Sequence, residues 1–300
     1  MKSVNARIIE FCKYHRDGDG ECNSIVLKGW ADNHGLNFEQ RWKLAYTFGI
    51  TYNVVSAVAL YEHPEEWKNA TELKEHLIFQ SDRKYVRMRD SFERLLDFYI
   101  ANLSNPKPFI DKWVANGKLR LEEAVLDVEK WYLFGRFSAF LFLEMFVWLT
   151  DLPVENLQTI DWNNGNTATS GLLNVYGYDR LAEQWDKKGK LGLSTDKMDE
   201  MLKMLIQAIA NSGGLTNVTY VETSLCAYRK LYKGSRYNGF YLDRMLDELY
   251  KLQAEYPETV AEMFKIRSQH FDKKYLGECG GWKGIRSDMK KWYLKTGKIN

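Results

Sequence analysis

Hydrophobic residues recur along this 300-residue chain at intervals of three and four, which is the spacing of one face of an α-helix. The segment NFEQRWKLAYTFG begins with a capping pair, Asn37 and Gln40, and places Phe38, Trp42 and Ala45 on one face. The segments ERLLDFYIANL and MDEMLKMLIQAIA repeat the pattern. Strict alternation of apolar and polar residues over five or more positions is hard to find. The chain is therefore predicted to be all-α, without a sheet of consequence.

Two polar segments interrupt the helical pattern. SNPKPF (104–109) and DWNNGNTATSG (161–171) are rich in turn-forming residues, and both are predicted to be loops. Neither has the length of a flexible linker, and no internal repeat is visible. We predict one globular multi-helix domain over residues 1–300. Two lobes around a DNA-binding cleft, with a boundary near residues 104–120, are the alternative organisation.

The most apolar stretch, WYLFGRFSAFLFLEMFVWL (131–149), approaches the length of a membrane span. Arg136 and Glu144 within it would be costly in lipid, so we predict a buried core helix and no membrane association. The two charges are two helical turns apart, about 12 Å along the axis. A structural ion pair and a ligand-binding cleft are both consistent with them, and Ser138 lies close to Arg136.

Composition and charge narrow the class of protein. The chain is 45% hydrophobic with a formal net charge of only +2, so any nucleic-acid-binding charge must be local. Ten tryptophans and eighteen tyrosines exceed what packing alone usually needs. Four scattered cysteines indicate free thiols, and the first residues have too short an apolar run for a signal peptide. We expect a cytoplasmic protein.

One segment, CAYRKLYKGSRYNGFYLDR (226–244), combines five cations with five aromatic residues and two glycines. Apolar spacing on both sides predicts two helices joined by the loop KGSRYNG. The cations near the first helix end can simply complement the helix dipole. Binding of phosphate or pyrophosphate also explains the glycine spacing, because amides ahead of a helix bind anions. The candidate anion ligands are Lys230, Lys233, Arg236 and the Gly239 amide.

The C-terminal segment GECGGWKGIRSDMKKWYLK repeats the combination of glycines, cations and a helical pattern. Trp282, Lys283 and Arg286 lie at the predicted helix start, where a DNA backbone phosphate can dock. A solvated charged face is the alternative. In SDRKYVRMRDSFER, Asp82, Asp90 and Glu93 offset part of the positive charge, so this segment is predicted to be surface.

Asparagines in TYNVVSA and SGLLNVYG stand among apolar residues. The amides of Asn53 and Asn174 can read the edge of a flipped pyrimidine, and a neighbouring Tyr52 or Tyr176 can stack on it. A helix cap or a core hydrogen bond explains either amide equally well. The phosphate-loop and dinucleotide motifs are absent and the five histidines are dispersed, so we expect no cofactor and no metal.

The chain resembles phage amino acid:DNA transferases, also called α-glutamyl/putrescinyl-thymine pyrophosphorylases. The resembling segments, in chain order, are FGITYNVVSA, FGRFSAFLFLE, SGLLNVYG, CAYRKLYKGSRYNGFYLDR and GGWKGIR. Val55 departs from the proline often expected in TYxVP. The resemblance implies a partner kinase that pyrophosphorylates hydroxymethyluracil in phage DNA. The transferase then replaces pyrophosphate with an amino acid or polyamine, giving a hypermodified thymine in the infected host cell.

This chemistry suggests roles for the candidate residues. Cations and amides stabilise the leaving polyanion, a carboxylate deprotonates the amine, and an arginine binds a carboxylate or pyrophosphate. The catalytic candidates are Glu144, Asp243, Arg136, Lys230, Lys233 and Arg236. The substrate-binding candidates are Tyr52, Asn53, Ser138, Asn174, Tyr237, Gly239 and Tyr241. The DNA-binding candidates are Arg244, Trp282, Lys283 and Arg286.

Two other classes of protein remain compatible with the residues. A base-excising DNA glycosylase shares helices, base flipping and a catalytic carboxylate, but it needs no pyrophosphate site. A non-enzymatic DNA-binding or packaging protein needs the basic segments but not Arg136 and Glu144.

Overall fold

The computed structural model describes residues 8–9, 11–12, 22–80, 83–155, 160, 162, 166–213, 218–233 and 239–271. Fifteen α-helices make up most of this described part, which confirms the all-α prediction. The chain divides into two compact units. Unit 1 comprises residues 1–22, 156–244 and 271–300, and unit 2 comprises residues 23–155 and 245–270. Residues 104–120 lie inside unit 2, and the organisation as one domain stays a prediction.

Unit 2 contains most of the helices. In chain order they are α1 (Cys22–Asn33), α2 (Phe38–Thr51), α3 (Val54–Glu62), α4 (Ala70–Leu73), α5 (Arg83–Asp90), α6 (Phe92–Asn102), α7 (Lys107–Trp113), α8 (Leu121–Val128), α9 (Arg136–Thr150) and α15 (Pro257–His270). Short 3-10 helices cover Pro64–Asn69 and Lys74–His76.

In the described part of unit 1, the helices that lie wholly within the unit are α10 (Asn166–Val175), α11 (Asp179–Lys188), α12 (Thr195–Asn211) and α13 (Val218–Tyr232). The next helix, α14 (Phe240–Leu252), begins in unit 1, and the boundary between the units falls after Arg244. The predicted helices on either side of KGSRYNG are therefore confirmed.

The start of α2 follows directly from its sequence. Asn37 accepts a hydrogen bond from the Gln40 amide at 3.0 Å, and the Gln40 side chain accepts one from the Asn37 amide at 2.8 Å. The predicted capping pair is thus present. α2 ends at Thr51, and its C-cap Tyr52 has a φ of 53°, in the left-handed region that bulky residues seldom adopt. Asn53 follows as the N-cap of α3, so only two residues separate these helices.

An aromatic cluster forms the core of unit 2 around Trp42, which is completely buried. Its ring centroid lies 5.1 to 5.8 Å from those of five other rings, which belong to Phe109, Trp113, Trp131, Phe142 and Phe146. The indole N–H of Trp42 donates to the Leu103 carbonyl at 2.8 Å. Tilted and edge-to-face ring pairs add to the stabilisation from apolar burial. Packing therefore accounts for much of the high aromatic content.

The apolar stretch predicted as a core helix forms α9, which packs against α2. The helix begins at Arg136 rather than at Trp131, because Gly135 has an extended conformation and acts as its N-cap. Phe142, Leu143 and Phe146 are buried. Within the described ranges, no helix combines the length and hydropathy that crossing a membrane requires.

The loop predicted at residues 104–109 is partly wrong. Only its first half is irregular, and α7 begins at Lys107 immediately after Pro106. Pro108 then lies in the first helical turn, where the missing N–H removes no intrahelical hydrogen bond. The prediction also misses a two-residue hairpin, Val114–Ala115 with Lys118–Leu119, whose Asn116–Gly117 turn has φ values of 53° and 73°.

The loop predicted at residues 161–171 is wrong from Asn166 onwards, because α10 begins there. Thr169 and Ser170 are buried, and packing has overridden their weak helix propensity. Gly171 explains how α10 comes so close to α13: a Cβ at this position would lie 2.3 Å from the Leu225 carbonyl oxygen. This close approach brings the next turn of α10, which carries Asn174, towards the last turns of α13.

Candidate functional site

A charged cluster links α10, α11 and α13 in unit 1. Arg229 donates through Nη1 to Asn174 Oδ1 and through Nη2 to Asp186 Oδ2, both at 2.5 Å. Lys233 Nζ donates to the same Asp186 oxygen at 2.6 Å. We refer to Arg229, Lys233, Asp186 and Asn174 as the charged cluster. A cation of α13 and a cation directly after its end thus converge on a single carboxylate oxygen.

The charged cluster runs from the interior of unit 1 to its surface. The Arg229 side chain is only 4% exposed, whereas that of Lys233 is 48% exposed. Burial raises the pKa of Asp186, but hydrogen bonds from Lys233, Arg229 and Ser170 outweigh burial and lower the pKa below its usual value. Asp186 is therefore held as a carboxylate at neutral pH.

The guanidinium of Arg229 is incompletely satisfied. Its Nε is buried and has no hydrogen-bond partner among the described residues. A buried donor without a partner costs about 1–3 kcal/mol. The guanidinium that contacts Asp186 therefore keeps one buried donor that the described residues do not use.

Asn174 is part of this cluster rather than an isolated amide. Its Oδ1 accepts from Arg229, and its Nδ2 donates to Asp179 Oδ1 at 2.8 Å. A cation on the oxygen and a carboxylate on the nitrogen fix the orientation of the amide. Asn174 thus makes the core hydrogen bonds that the sequence allowed as one explanation. The binding of a flipped base by Asn174 stays a prediction.

A second polar group lies in unit 2 at the break between α2 and α3. Asn53 is buried, accepts a hydrogen bond from the Ser56 amide at 2.9 Å and donates to Glu248 Oε2 at 2.9 Å. Asn53 therefore acts as the helix cap that the sequence allowed, and it also contacts the buried carboxylate of Glu248. Tyr52 is half-buried, in the left-handed conformation described above. Backbone strain in a bulky residue is a feature often found at functional sites.

The two charges of α9 differ from expectation in their environment. Arg136 is the first residue of the helix, its side chain is 40% exposed, and it pairs with Glu129 at 3.8 Å. Its guanidinium also lies 5.3 Å from the Phe140 ring centroid. Glu144 is half-buried, and Ser138 is buried. The prediction that both charges lie inside a buried helix is wrong for Arg136, because Gly135 starts the helix directly before it.

The start of α14 carries further candidates. Gly239 has a φ of 85°, and its carbonyl accepts from the Asp243 amide at 3.0 Å, so Gly239 lies just ahead of the helix as predicted. Asp243 is completely buried. Lys230, Tyr241 and Arg244 are half-buried. The functional roles given to these residues stay predictions.

The sequence profile described as amino acid:DNA transferase matches residues 30–237, well over half of the chain. The chain belongs to the amino acid:DNA transferase family. The family name denotes a transferase that acts on DNA with amino acids. The match includes the charged cluster, Asn53 and Glu144, and it ends before Asp243 and Arg244. No curated protein and no solved structure matches the chain.

Five candidates of this amino acid:DNA transferase lie outside the described residues. They are Arg236, Tyr237, Trp282, Lys283 and Arg286. The anion-binding loop and the DNA-binding C-terminal segment accordingly stay predictions.

Sequence reasoning missed two partners in this transferase family member, Asp186 and Glu248. Asp186 lies 43 residues before Arg229, and Glu248 lies 195 residues after Asn53. Asp186 stands in an ordinary charged helix, so no local signal marks it. Glu248 carries a weak signal: it is an acid between Leu246 and Leu249, which recur at the apolar spacing of α14.

Among the described residues of the transferase, one group has the geometry of a metal site. Ligand atoms of His63, Glu65 and Glu66 all lie within 4.8 Å of one another. Ion pairs from His63 to Glu65 and Glu66, at 3.3 and 3.9 Å, also account for this proximity. The absence of a metal stays a prediction.

Proposed function

We propose that this member of the amino acid:DNA transferase family replaces the pyrophosphate of pyrophosphorylated hydroxymethyluracil in phage DNA with an amine. The amine is an amino acid or a polyamine, and the reaction takes place in the cytoplasm of the infected host. The observation that carries the proposal is the convergence of Arg229 and Lys233 at the end of α13, directly before the segment predicted to bind pyrophosphate. A polyanionic leaving group needs cations of this kind.

The proposed reaction makes one bond and breaks one bond. The amine nitrogen forms a bond to the exocyclic methylene carbon of the base, and the bond from this carbon to the pyrophosphate oxygen breaks. The oxygen keeps the electron pair, so negative charge grows on pyrophosphate as it leaves. Lys230, Lys233, Arg236 and the Gly239 amide are the proposed groups that stabilise this charge.

The attacking amine must be neutral, so a carboxylate is proposed to take its proton. Glu144 and Asp243 are the candidates. Glu144 is half-buried and Asp243 is completely buried, so Glu144 is the more accessible acceptor. Arg136, which is 40% exposed, is proposed to bind the carboxylate of an incoming amino acid.

The target atom is inaccessible inside a duplex, so the base must leave the stack. Tyr52, Asn53, Ser138, Asn174, Tyr237 and Tyr241 are proposed to receive it. The half-buried, strained position of Tyr52 supports a stacking role for its ring. Arg244, Trp282, Lys283 and Arg286 are proposed to bind the DNA backbone.

The decisive experiment uses DNA that carries pyrophosphorylated hydroxymethyluracil. The purified protein is incubated with this DNA and candidate amines, and the nucleosides are analysed by mass spectrometry while released pyrophosphate is measured. Formation of an amine-substituted thymine together with pyrophosphate supports the proposal. An abasic product would assign the chain to base excision, and unchanged nucleosides with every amine would overturn the proposal.

A further inference from the structure

We propose that Arg229 and Lys233 form a binding site for a phosphoryl oxyanion, which Asp186 occupies when no substrate is bound. The ligand chemistry is that of a phosphate group, from the leaving pyrophosphate or from the DNA backbone. The choice of pyrophosphate as first ligand rests on the proposed function. Neither Arg229 nor Asp186 was among the residues expected from the sequence to contact it.

The hydrogen-bonding pattern of Arg229 supports the site. The Nε and Nη2 hydrogens of an arginine point in the same direction and match two oxygens of one carboxylate or phosphate. Of these two arginine donors, only Nη2 donates to Asp186 Oδ2, at 2.5 Å, and the buried Nε has no partner among the described residues. Asp186 thus occupies only one of the two donors, Nε and Nη2, that together form the arginine fork. A phosphoryl group, with its additional oxygens, can accept from both donors.

Lys233 adds a second donor and connects the site to solvent. It follows Arg229 by four residues and lies one position after the end of α13. Its amide donates to the Arg229 carbonyl at 3.0 Å, which continues the last helical turn and places the two side chains on the same side. Its Nζ lies 2.6 Å from the oxygen that Arg229 also contacts, and its side chain is 48% exposed. The Asp186 side chain is itself 21% exposed. An incoming anion therefore meets Lys233 first and can displace Asp186 without entering through the core.

The charges favour such an exchange. Arg229 and Lys233 share one carboxylate, so the pair retains a net positive charge that a more highly charged anion neutralises better. Asn174 holds the other edge of the guanidinium through Nη1, which keeps the fork in place while the anion changes. Asp179 contacts Asn174 rather than either cation, so it does not compete for the site.

The test measures binding of inorganic pyrophosphate to Asp186→Asn by titration calorimetry. Removing the resident charge is expected to lower the dissociation constant about tenfold, which corresponds to about 1.4 kcal/mol. Glu183→Gln is the matched control, because it removes an acid from the same helix, one turn earlier and exposed. Its affinity should stay within about twofold of the wild type, well below the tenfold step.

A second arm uses an unmodified DNA oligonucleotide. Tighter pyrophosphate binding by Asp186→Asn supports the leaving group as ligand, and tighter oligonucleotide binding alone supports a backbone phosphate. A gain for neither ligand overturns the proposal, as does an equal gain in Glu183→Gln. If Asp186→Asn does not fold, the half-exposed Lys233→Ala decides: binding about tenfold weaker supports the site, and unchanged affinity for both ligands overturns it.

These measurements involve no amine and no modified base. A failure to bind anions therefore leaves the transfer assay free to succeed. Conversely, a chain that transfers no amine can still show the predicted change in anion affinity.

Discussion

Replacing Gly171 by alanine should separate two helices of unit 1. The added Cβ would lie 2.3 Å from the Leu225 carbonyl oxygen and 2.9 Å from its carbon, whereas ordinary contacts begin at 3.4 Å. The difference, 3.4 − 2.3 = 1.1 Å, is the shift between this Cβ and the oxygen that restores an ordinary contact. The obstructing atom is a backbone oxygen within a helix, which cannot rotate aside as a flexible side chain does.

The magnitude follows from two opposing effects. Overpacking of this kind costs about 1–3 kcal/mol, and a clash with backbone belongs at the upper end of this range. Alanine is better than glycine in a helix by about 1 kcal/mol. We therefore expect Gly171→Ala to lower the free energy of unfolding by about 2 kcal/mol.

Gly49 provides the matched control, because it also lies inside a helix. A Cβ there would meet Phe142 and Phe134 side chains at 3.4 to 3.6 Å, which is ordinary contact. Gly49→Ala should therefore leave stability unchanged or raise it by up to about 1 kcal/mol. Urea denaturation of both variants measures the two values. Equal effects of the two substitutions, or a Gly171→Ala protein as stable as wild type, would refute the argument from close helix approach.

Three further predictions concern charge. Burial raises the pKa of Asp127, but hydrogen bonds, led by the one from Lys112, outweigh burial and lower the pKa to about 2. The stabilisation from the Asp127 carboxylate is therefore complete above the unfolded-state pKa of about 3.9 and is lost as the pH falls towards 2. The difference in stability between wild type and Asp127→Asn should shrink over this pH range, and a constant difference in acid denaturation would contradict the argument. Glu144→Gln should fold and bind DNA but lose amine transfer, most severely at low pH where the amine is protonated, and full activity in a pH–rate profile would exclude Glu144 as the base. The Lys283→Ala/Arg286→Ala double variant should bind DNA more weakly at every sequence with a flatter salt dependence, and an unchanged slope would argue against backbone contacts there.

The helices were predictable because their signals are local. The Asn37–Gln40 cap and the apolar spacing around Trp42 lie within one or two turns of the residues they organise. The secondary-structure errors arise where contacts with residues far along the chain determine the conformation. Residues 166–171 read as a loop because threonine, serine and glycine form helices poorly, yet Gly171 is the residue that lets α10 approach α13.

The candidate site was only partly predictable for a related reason. Lys233 was identified from the density of cations near a glycine-rich turn. Its partner Asp186 lies on another helix, 47 residues earlier, and a single sequence does not pair them. Arg136 shows the converse: a charge inside an apolar run suggested burial, but one glycine moved the helix start and left the side chain partly exposed.

The indoles around Trp42 also give unit 2 an optical signature. Trp42, Trp113 and Trp131 have centroids 5.8 to 6.2 Å apart at interplanar angles of 31° to 68°, so their electronic transitions couple in a fixed geometry. Such coupling produces a near-ultraviolet circular dichroism signal that disappears when side-chain packing loosens. The described tryptophans of unit 1, Trp162 and Trp185, take no part in this trio. Loss of the coupled signal during denaturation therefore reports on unit 2, and comparison with the loss of helical signal tells whether the two units unfold in one cooperative step.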